Sequence, residues 1–159
     1  MARTWEFNDP IDFPAEKVFA VISDPGFIEK WTLVQAGQKP KAELLLKTAD
    51  KVQIKLSYEE PLPLGIGVMQ ALMEIDWDVH TFTNDWRRKS AGRESRAKVE
   101  GRSRLAPQGP NRCIFHEEGT IDISLPIIGG KLEKIIIDHM TKGRRSKVDF
   151  LVQEVKRRG

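Results

Sequence analysis

The sequence predicts an α+β fold: a curved antiparallel sheet of about seven strands wrapped around one long C-terminal helix, with two short helices after the first strand. Two observations carry this. From about residue 41 to about residue 125 apolar residues recur with a period of two and leave one polar face, which marks half-buried antiparallel strands rather than a parallel sheet buried on both faces. After Pro126 and the pair Gly129-Gly130, the chain runs to Gly159 without a proline and the period becomes that of a helix.

Each element follows in order. Residues 3 to 8 alternate, with Trp5 and Phe7 set apart from Thr4 and Glu6, and read as a strand. Pro14 suits a first helical position, and Val18, Phe19 and Ile22 share one face of the helix it would open. Ser23-Asp24-Pro25-Gly26 breaks that helix and caps another, on which Phe27, Ile28 and Trp31 fall at helical spacing. Ala42, Leu44 and Leu46, then Val52, Ile54, Leu56 and Tyr58, form the apolar faces of two strands around the turn Thr48-Ala49-Asp50-Lys51. Beyond the Pro/Gly-rich stretch from Glu60 to Gly67, Met69, Ala71, Met73 and Ile75 give a further strand, with a helix over 64–73 as the competing reading. Between Val79 and Arg88 the apolar phase is His80, Phe82, Asn84 and Trp86; between Glu94 and Ala106 it is Ala97, Val99, Gly101, Ser103 and Leu105. The turn Pro107-Gln108-Gly109-Pro110-Asn111 leads into a last strand over 112–125. A single helix is expected over 131–156, packed across the sheet with Gly143 on the cavity side; some 25 residues would run ~38 Å at 1.5 Å per residue.

Composition bounds what such a fold can do. With 159 residues, 40% of them hydrophobic and 31% charged, the chain reads as one folded unit spanning 1–159 with a core that needs no metal or disulfide staple. Cys113 is the sole cysteine, which excludes an intrachain disulfide and a thiolate metal cluster and fits the reducing cytoplasm. The opening MARTWEFNDP has no apolar signal core, and no uncharged apolar run approaches the 18 residues a membrane span needs. The net charge is +3, with basic residues gathered at 87–89, at Lys142, Arg144 and Arg145, and at 156–158. Acidic residues interrupt all three, so they read as solvated faces rather than as a nucleic-acid footprint.

The residues also carry a resemblance. The stretch from Phe13 to Pro25, FPAEKVFAVISDP, resembles the start of START-like domains, and Leu125 to Lys134, LPIIGGKLEK, is similar to the strand-to-helix junction in an uncharacterised bacterial branch of the same superfamily. That superfamily has the helix-grip fold and includes birch-pollen-allergen-like proteins and polyketide cyclase/dehydrase and lipid-transport proteins. The resemblance implies a cavity between sheet and helix; it carries over no catalytic residue.

Candidate site residues follow from the strand and helix phases. Met69, Met73, Trp77, Phe82, Trp86 and Phe115 supply a wall of adaptable thioethers and broad rings suited to a bulky apolar ligand, unless they fill the space themselves. Asn84 would orient a polar group. Glu117 shares its strand face with Phe115, Ile121 and Ile123, where a carboxylate is costly unless paired, for instance by a nearby arginine. His139 lies within the apolar spacing of the long helix and could exchange protons near neutral pH. Gly101, Gly119 and Gly143 leave room beside the backbone, for a ligand or for sheet curvature. Pro61, Pro63, Gly65 and Gly67 interrupt the strand pattern and are expected to border the cavity mouth. The expected partner is a small hydrophobic molecule such as a lipid, isoprenoid or polyketide-like compound, with no nucleic acid, no membrane insertion and no cofactor; a homodimer is compatible with the sequence. The alternatives are a cyclase or dehydratase using His139 and Glu117 as acid and base, and a protein-interaction module with a closed cavity. His80, His116 and His139 lack metal-ligand spacing, and no metal site is expected.

Overall fold

The computed structural model describes residues 2–61, 65, 67–90 and 97–159. Its elements run β1 (Arg3–Ile11), α1 (Ala15–Ile22), α2 (Pro25–Val34), β2 (Gln38–Lys47), β3 (Lys51–Pro61), β4 (Val68–Asp78), β5 (Thr83–Ser90), β6 (Ala97–Pro107), β7 (Cys113–Ile123) and α3 (Gly129–Arg158). The strands form one antiparallel sheet in the order β1-β7-β6-β5-β4-β3-β2. Every neighbour except β1–β7 is also a sequence neighbour, as short hairpin connections dictate. The α+β helix-grip architecture is therefore present.

Strand phase decides what faces inward. Val52, Ile54 and Leu56 of β3, Val99 and Leu105 of β6, and Cys113, Phe115 and Ile121 of β7 are all buried and fall at even spacings along their strands, on one face. The short helices close one end. α1 buries Val18, Val21 and Ile22, while Asp24 caps α2 by accepting a 3.0 Å hydrogen bond from the Gly26 amide.

Three expectations are corrected. The strand read over Val79–Arg88 begins only at Thr83; Val79–Phe82 is a turn in which Phe82 has φ 51° and packs on Phe19, with ring centroids 5.3 Å apart. His80 in the same turn is exposed and its Nε2 lies 2.6 Å from Asp50 Oδ1, so it does not join the inner face. In β2 the alternation of Leu44 and Leu46 is interrupted by a bulge: Leu44 pairs with Ile54 but Leu46 with Gln53, and Leu44, Leu45 and Leu46 are all exposed. The rival helix over 64–73 gives way to β4 from Val68 onward.

The 30 residues of α3 span ~45 Å. Leu132 and Glu133 are buried near its start and Arg144, Val148, Leu151 and Val155 toward its end, but no residue from 134 to 143 is buried. The helix is packed tightly at both ends and only partly between, where Ile136, Ile137 and Met140 touch the sheet's second core cluster. At its start the Glu133 carboxylate, fully buried, accepts a 2.7 Å hydrogen bond from the Ile123 amide, which ties α3 to the end of β7.

Gly101 and Gly119 face each other across β6 and β7. What lies beside them is the ring of Trp86 over Gly101 and of Trp5 over Gly119, and a Cβ on either glycine would also collide with a strand carbonyl. The two indoles, 6.0 Å apart, thus lie directly on backbone. Gly119→Ala should destabilise the fold by about 1–3 kcal/mol through this overpacking, read as a lower urea midpoint with unchanged m; an unchanged midpoint would mean that the Trp5 ring is free to move aside.

Candidate functional site: a cavity under the C-terminal helix

Where α3 packs only partly on the sheet, a cavity of about 450 Å³ remains, within the range of small-molecule sites. Its floor is the inner face of β3 to β7, with Leu56, Met73, Ile75, Trp77 and Trp86 contributing; α2 adds Ile28 and Trp31, and α3 adds Met140, Gly143 and Lys147. The residues at the α2–β2 turn, Gln35, Ala36 and Gly37, border it from the side.

Of the residues expected from the sequence, Met73, Trp77, Asn84, Trp86, Phe115, Glu117, His139 and Gly143 line this cavity, whereas Met69 and Phe82 do not. Met69 lies near the end of the β3–β4 hairpin, opposite Glu60, and Phe82 belongs to the turn described above. His139 is exposed, so it sits on the rim rather than in an apolar interior. Pro63 falls outside the described residues; Pro61, Gly65 and Gly67 are exposed and are not part of the lining.

Two polar groups interrupt the apolar lining. The first joins β1, β7 and α3. Arg144 reaches down from the helix, its Nε 2.7 Å from Asp9 Oδ2 and its Nη1 2.8 Å from Glu117 Oε2, while Lys147 Nζ lies 3.5 Å from the same Glu117 oxygen. The guanidinium carbon is 4.7 Å from the ring centroids of both Phe7 and Phe115, so the cation is bounded by aromatic rings as well as carboxylates. Lys147 lies 4.8 Å above the Trp31 ring, and the Trp31 indole N–H donates to the Lys147 carbonyl at 2.8 Å. Burial opposes ionisation of Glu117, but Lys147 and Arg144 together outweigh it and hold the carboxyl below its usual range. For Lys147 burial wins: the ammonium is held below the ordinary lysine value despite Glu117.

The second group lies on β3 and β5. Arg88 Nη1 is 2.7 Å from Glu60 Oε2 and donates to the Tyr58 hydroxyl at 3.4 Å, and burial raises the Tyr58 phenol. Between the groups, the buried Asn84 side-chain oxygen accepts from the Ser103 amide at 3.1 Å. Cys113 contributes no nucleophile: burial, with Glu16 adding to it, pushes its thiol up to about 11.

The inner placement of Arg88 and Arg144 corrects the reading of basic runs as solvated faces. Signals for both were present. Arg88 follows Asn84 and Trp86 at the same strand period, and Arg144 falls four residues after Met140 and seven before Leu151. The outer face of the sheet carries a separate open depression, lined by Glu6, Glu74, Asp76, Asp85, Glu100 and Glu118 among others.

A seven-stranded open sheet gripping a long C-terminal helix around a cavity gives this chain the α+β helix-grip fold that START-like proteins also have. It is similar to a Streptomyces Zhui aromatase/cyclase (TM-score 0.71, 12% identity, covering 99% of this chain and 96% of that one). It also resembles a Mycobacterium smegmatis START superfamily protein (0.60, 13%, 98% and 99%) and Thalictrum flavum norcoclaurine synthase in complex with dopamine and hydroxybenzaldehyde (0.64, 13%, 100% and 89%). At these identities the likeness is one of fold. More particularly, the chain belongs to the family described as protein of unknown function DUF2505, whose model matches residues 6–153. Among curated proteins, none matches it by sequence.

Breaking the inner ion cluster should be costly. Glu117→Gln leaves Arg144 and Lys147 buried with less counter-charge and should lower stability at neutral pH by about 3–5 kcal/mol. Because the folded carboxyl of Glu117 lies below its unfolded value of 4.5, its contribution is complete above that value and is lost as pH falls through the folded one. Urea midpoints of wild type and variant should therefore converge in acid; a gap that stays constant with pH would show that the charge of Glu117 is not what stabilises the fold. Lys147 gives a slope of the same sign in another window: burial penalises its charged form, so its depressed folded value makes stability rise with pH between that value and 10.5.

Proposed function

We propose that the protein binds and carries a small hydrophobic molecule, of lipid, isoprenoid or polyketide-like character, in the cavity between sheet and α3, within the cytoplasm. The observation that supports this most directly is the empty volume itself. Interiors normally pack to near crystal density, yet here a helix spans about 450 Å³ lined by aromatic rings, methionines and aliphatic side chains. Met73, Trp77, Trp86 and Phe115 supply apolar area at roughly 25 cal/mol per Å² buried, while Asn84 and the Glu117 group orient a polar end.

The alternative reaction, a cyclase or dehydratase step, asks Glu117 and His139 to serve one substrate atom as base and acid, each within ~3 Å. Glu117 is buried deep beside Arg144 whereas His139 is exposed on the rim, so the two are poorly placed to serve one substrate atom and carriage has the better support. A closed interaction module accords poorly with a cavity bordered by the exposed residues His139 and Gly143.

Gly143 provides the cleanest test, because it borders the cavity and a Cβ built there meets no atom within 4 Å. Glycine inside a helix costs about 1 kcal/mol relative to alanine, so replacing it should not harm folding. Gly143→Phe is expected to keep or raise the unfolding midpoint and to weaken binding of the dye 1-anilinonaphthalene-8-sulfonate at least tenfold. Full dye affinity in a well-folded Gly143→Phe protein would place the binding site elsewhere. Native mass spectrometry of the purified protein, with extraction of any co-purified apolar molecule, would identify the cargo.

A further inference from the structure

Glu117 has two cationic partners, and they are not equivalent. Arg144 meets it at 2.8 Å and is itself fixed by Asp9 and by two aromatic rings; Lys147 approaches only to 3.5 Å and lines the cavity. Among the described residues that line the cavity, Lys147 is the only lysine. It stands against Trp31 on one side and Glu117 on the other, in the C-terminal half of α3 close to the buried Val148 and Leu151. An amine held in an apolar cavity beside a carboxylate, and not required to complete the main ion pair, is placed to act as a nucleophile.

We propose that Lys147 captures an apolar aldehyde or ketone as a covalent protonated imine, with Glu117 as its proton relay and counter-ion. The chemistry balances without any further reactant. The Lys147 ammonium passes a proton to the Glu117 carboxylate, the free amine adds to the carbonyl carbon, and the resulting hydroxyl leaves as water after taking that proton back. An ammonium and a carbonyl thus become an iminium and water, and the site carries one positive charge on nitrogen before and after. This conservation matters in a buried cluster: Asp9, Glu117, Arg144 and Lys147 sum to zero, and imine formation leaves that sum unchanged. Burial also lowers the ammonium's hold on its proton, whereas an ordinary lysine near pKa 10.4 is uncharged in only about one molecule in 2,500 at pH 7.

The proposal rests on the cavity being a ligand site, and the experiment separates the two. The purified full chain is incubated at neutral pH with 2-naphthaldehyde and sodium cyanoborohydride, then analysed by intact mass and tryptic mapping, while dye binding to the untreated protein is measured in parallel. The expected result is one adduct of the aldehyde's mass less one oxygen, formed at Lys147 at least tenfold faster than at any other lysine and suppressed by excess dye. Lys147→Arg, which retains a cation for Glu117, should lose it; Lys142→Arg, on the exposed side of the helix, should keep it. Should Lys147→Arg fail to fold, peptide mapping of the wild-type adduct decides the matter alone. Labelling spread evenly over surface lysines, with the dye still bound, overturns the imine and leaves the cavity reading standing. Absence of both dye binding and selective labelling overturns the two together.

Discussion

Arg144 is the constraint on which the rest of the architecture depends. Its guanidinium joins three elements far apart in the chain, through Asp9 on β1, Glu117 on β7 and its own position on α3, and the rings of Phe7 and Phe115 bound it. A buried cation would cost several kcal/mol if left alone, and here almost every compensation available to it is present: two carboxylates and two aromatic rings. The consequence is positional. Because a guanidinium presents its donors in a fixed fork, satisfying Asp9 and Glu117 together fixes both the height and the rotation of the helix above the sheet. That placement keeps Lys147 beside Glu117 and Gly143 toward the open volume.

The cavity follows from how the two ends of α3 are held. At the N-terminal end the buried Glu133 carboxylate engages the β7 backbone, and at the C-terminal end Val148, Leu151 and Val155 join the main core, where Phe27 and Phe150 stack at 5.8 Å. Between them Ile136, Ile137 and Met140 pack only partly against the sheet, Gly143 has no side chain and His139 is exposed, so the gap is not filled. On the opposite wall, Trp5 and Trp86 lie flat against Gly119 and Gly101, which removes bulk that would otherwise project into the space. The volume is thus produced by paired choices on helix and sheet.

Much of this architecture was legible in the sequence. Period-two patterning located every strand face except where a bulge at Leu44–Leu46 and a positive-φ residue at Phe82 broke the phase, and neither feature has a signature in side-chain polarity. Of the apolar wall, Met73, Trp77, Trp86 and Phe115 were readable for the same reason, whereas Met69 and Phe82 lie elsewhere and the α2 residues Ile28 and Trp31 gave no sign of reaching the space. The charged members were not, because arginine and lysine are assigned to solvent by default, although Arg88 and Arg144 obey the inward periodicity of their elements. Glu117 was legible since a carboxylate among Phe115, Ile121 and Ile123 contradicts its surroundings; the identity of its partners depends on a helix that returns from the far end of the chain. Glu133 left no such signal, because it stands between Lys131 and Lys134 on a turn that reads as polar.

The lightly packed middle of α3 has a mechanical consequence. A beam held firmly at both ends and more lightly between them deforms most cheaply by bowing, and here the stretch from 134 to 143, held by partial packing of Ile136, Ile137 and Met140, ends at a glycine just before the Arg144 anchor. If the cavity holds a cargo as proposed, room for its exchange would come from bending one helix over an intact sheet, and stiffening that helix would slow the exchange.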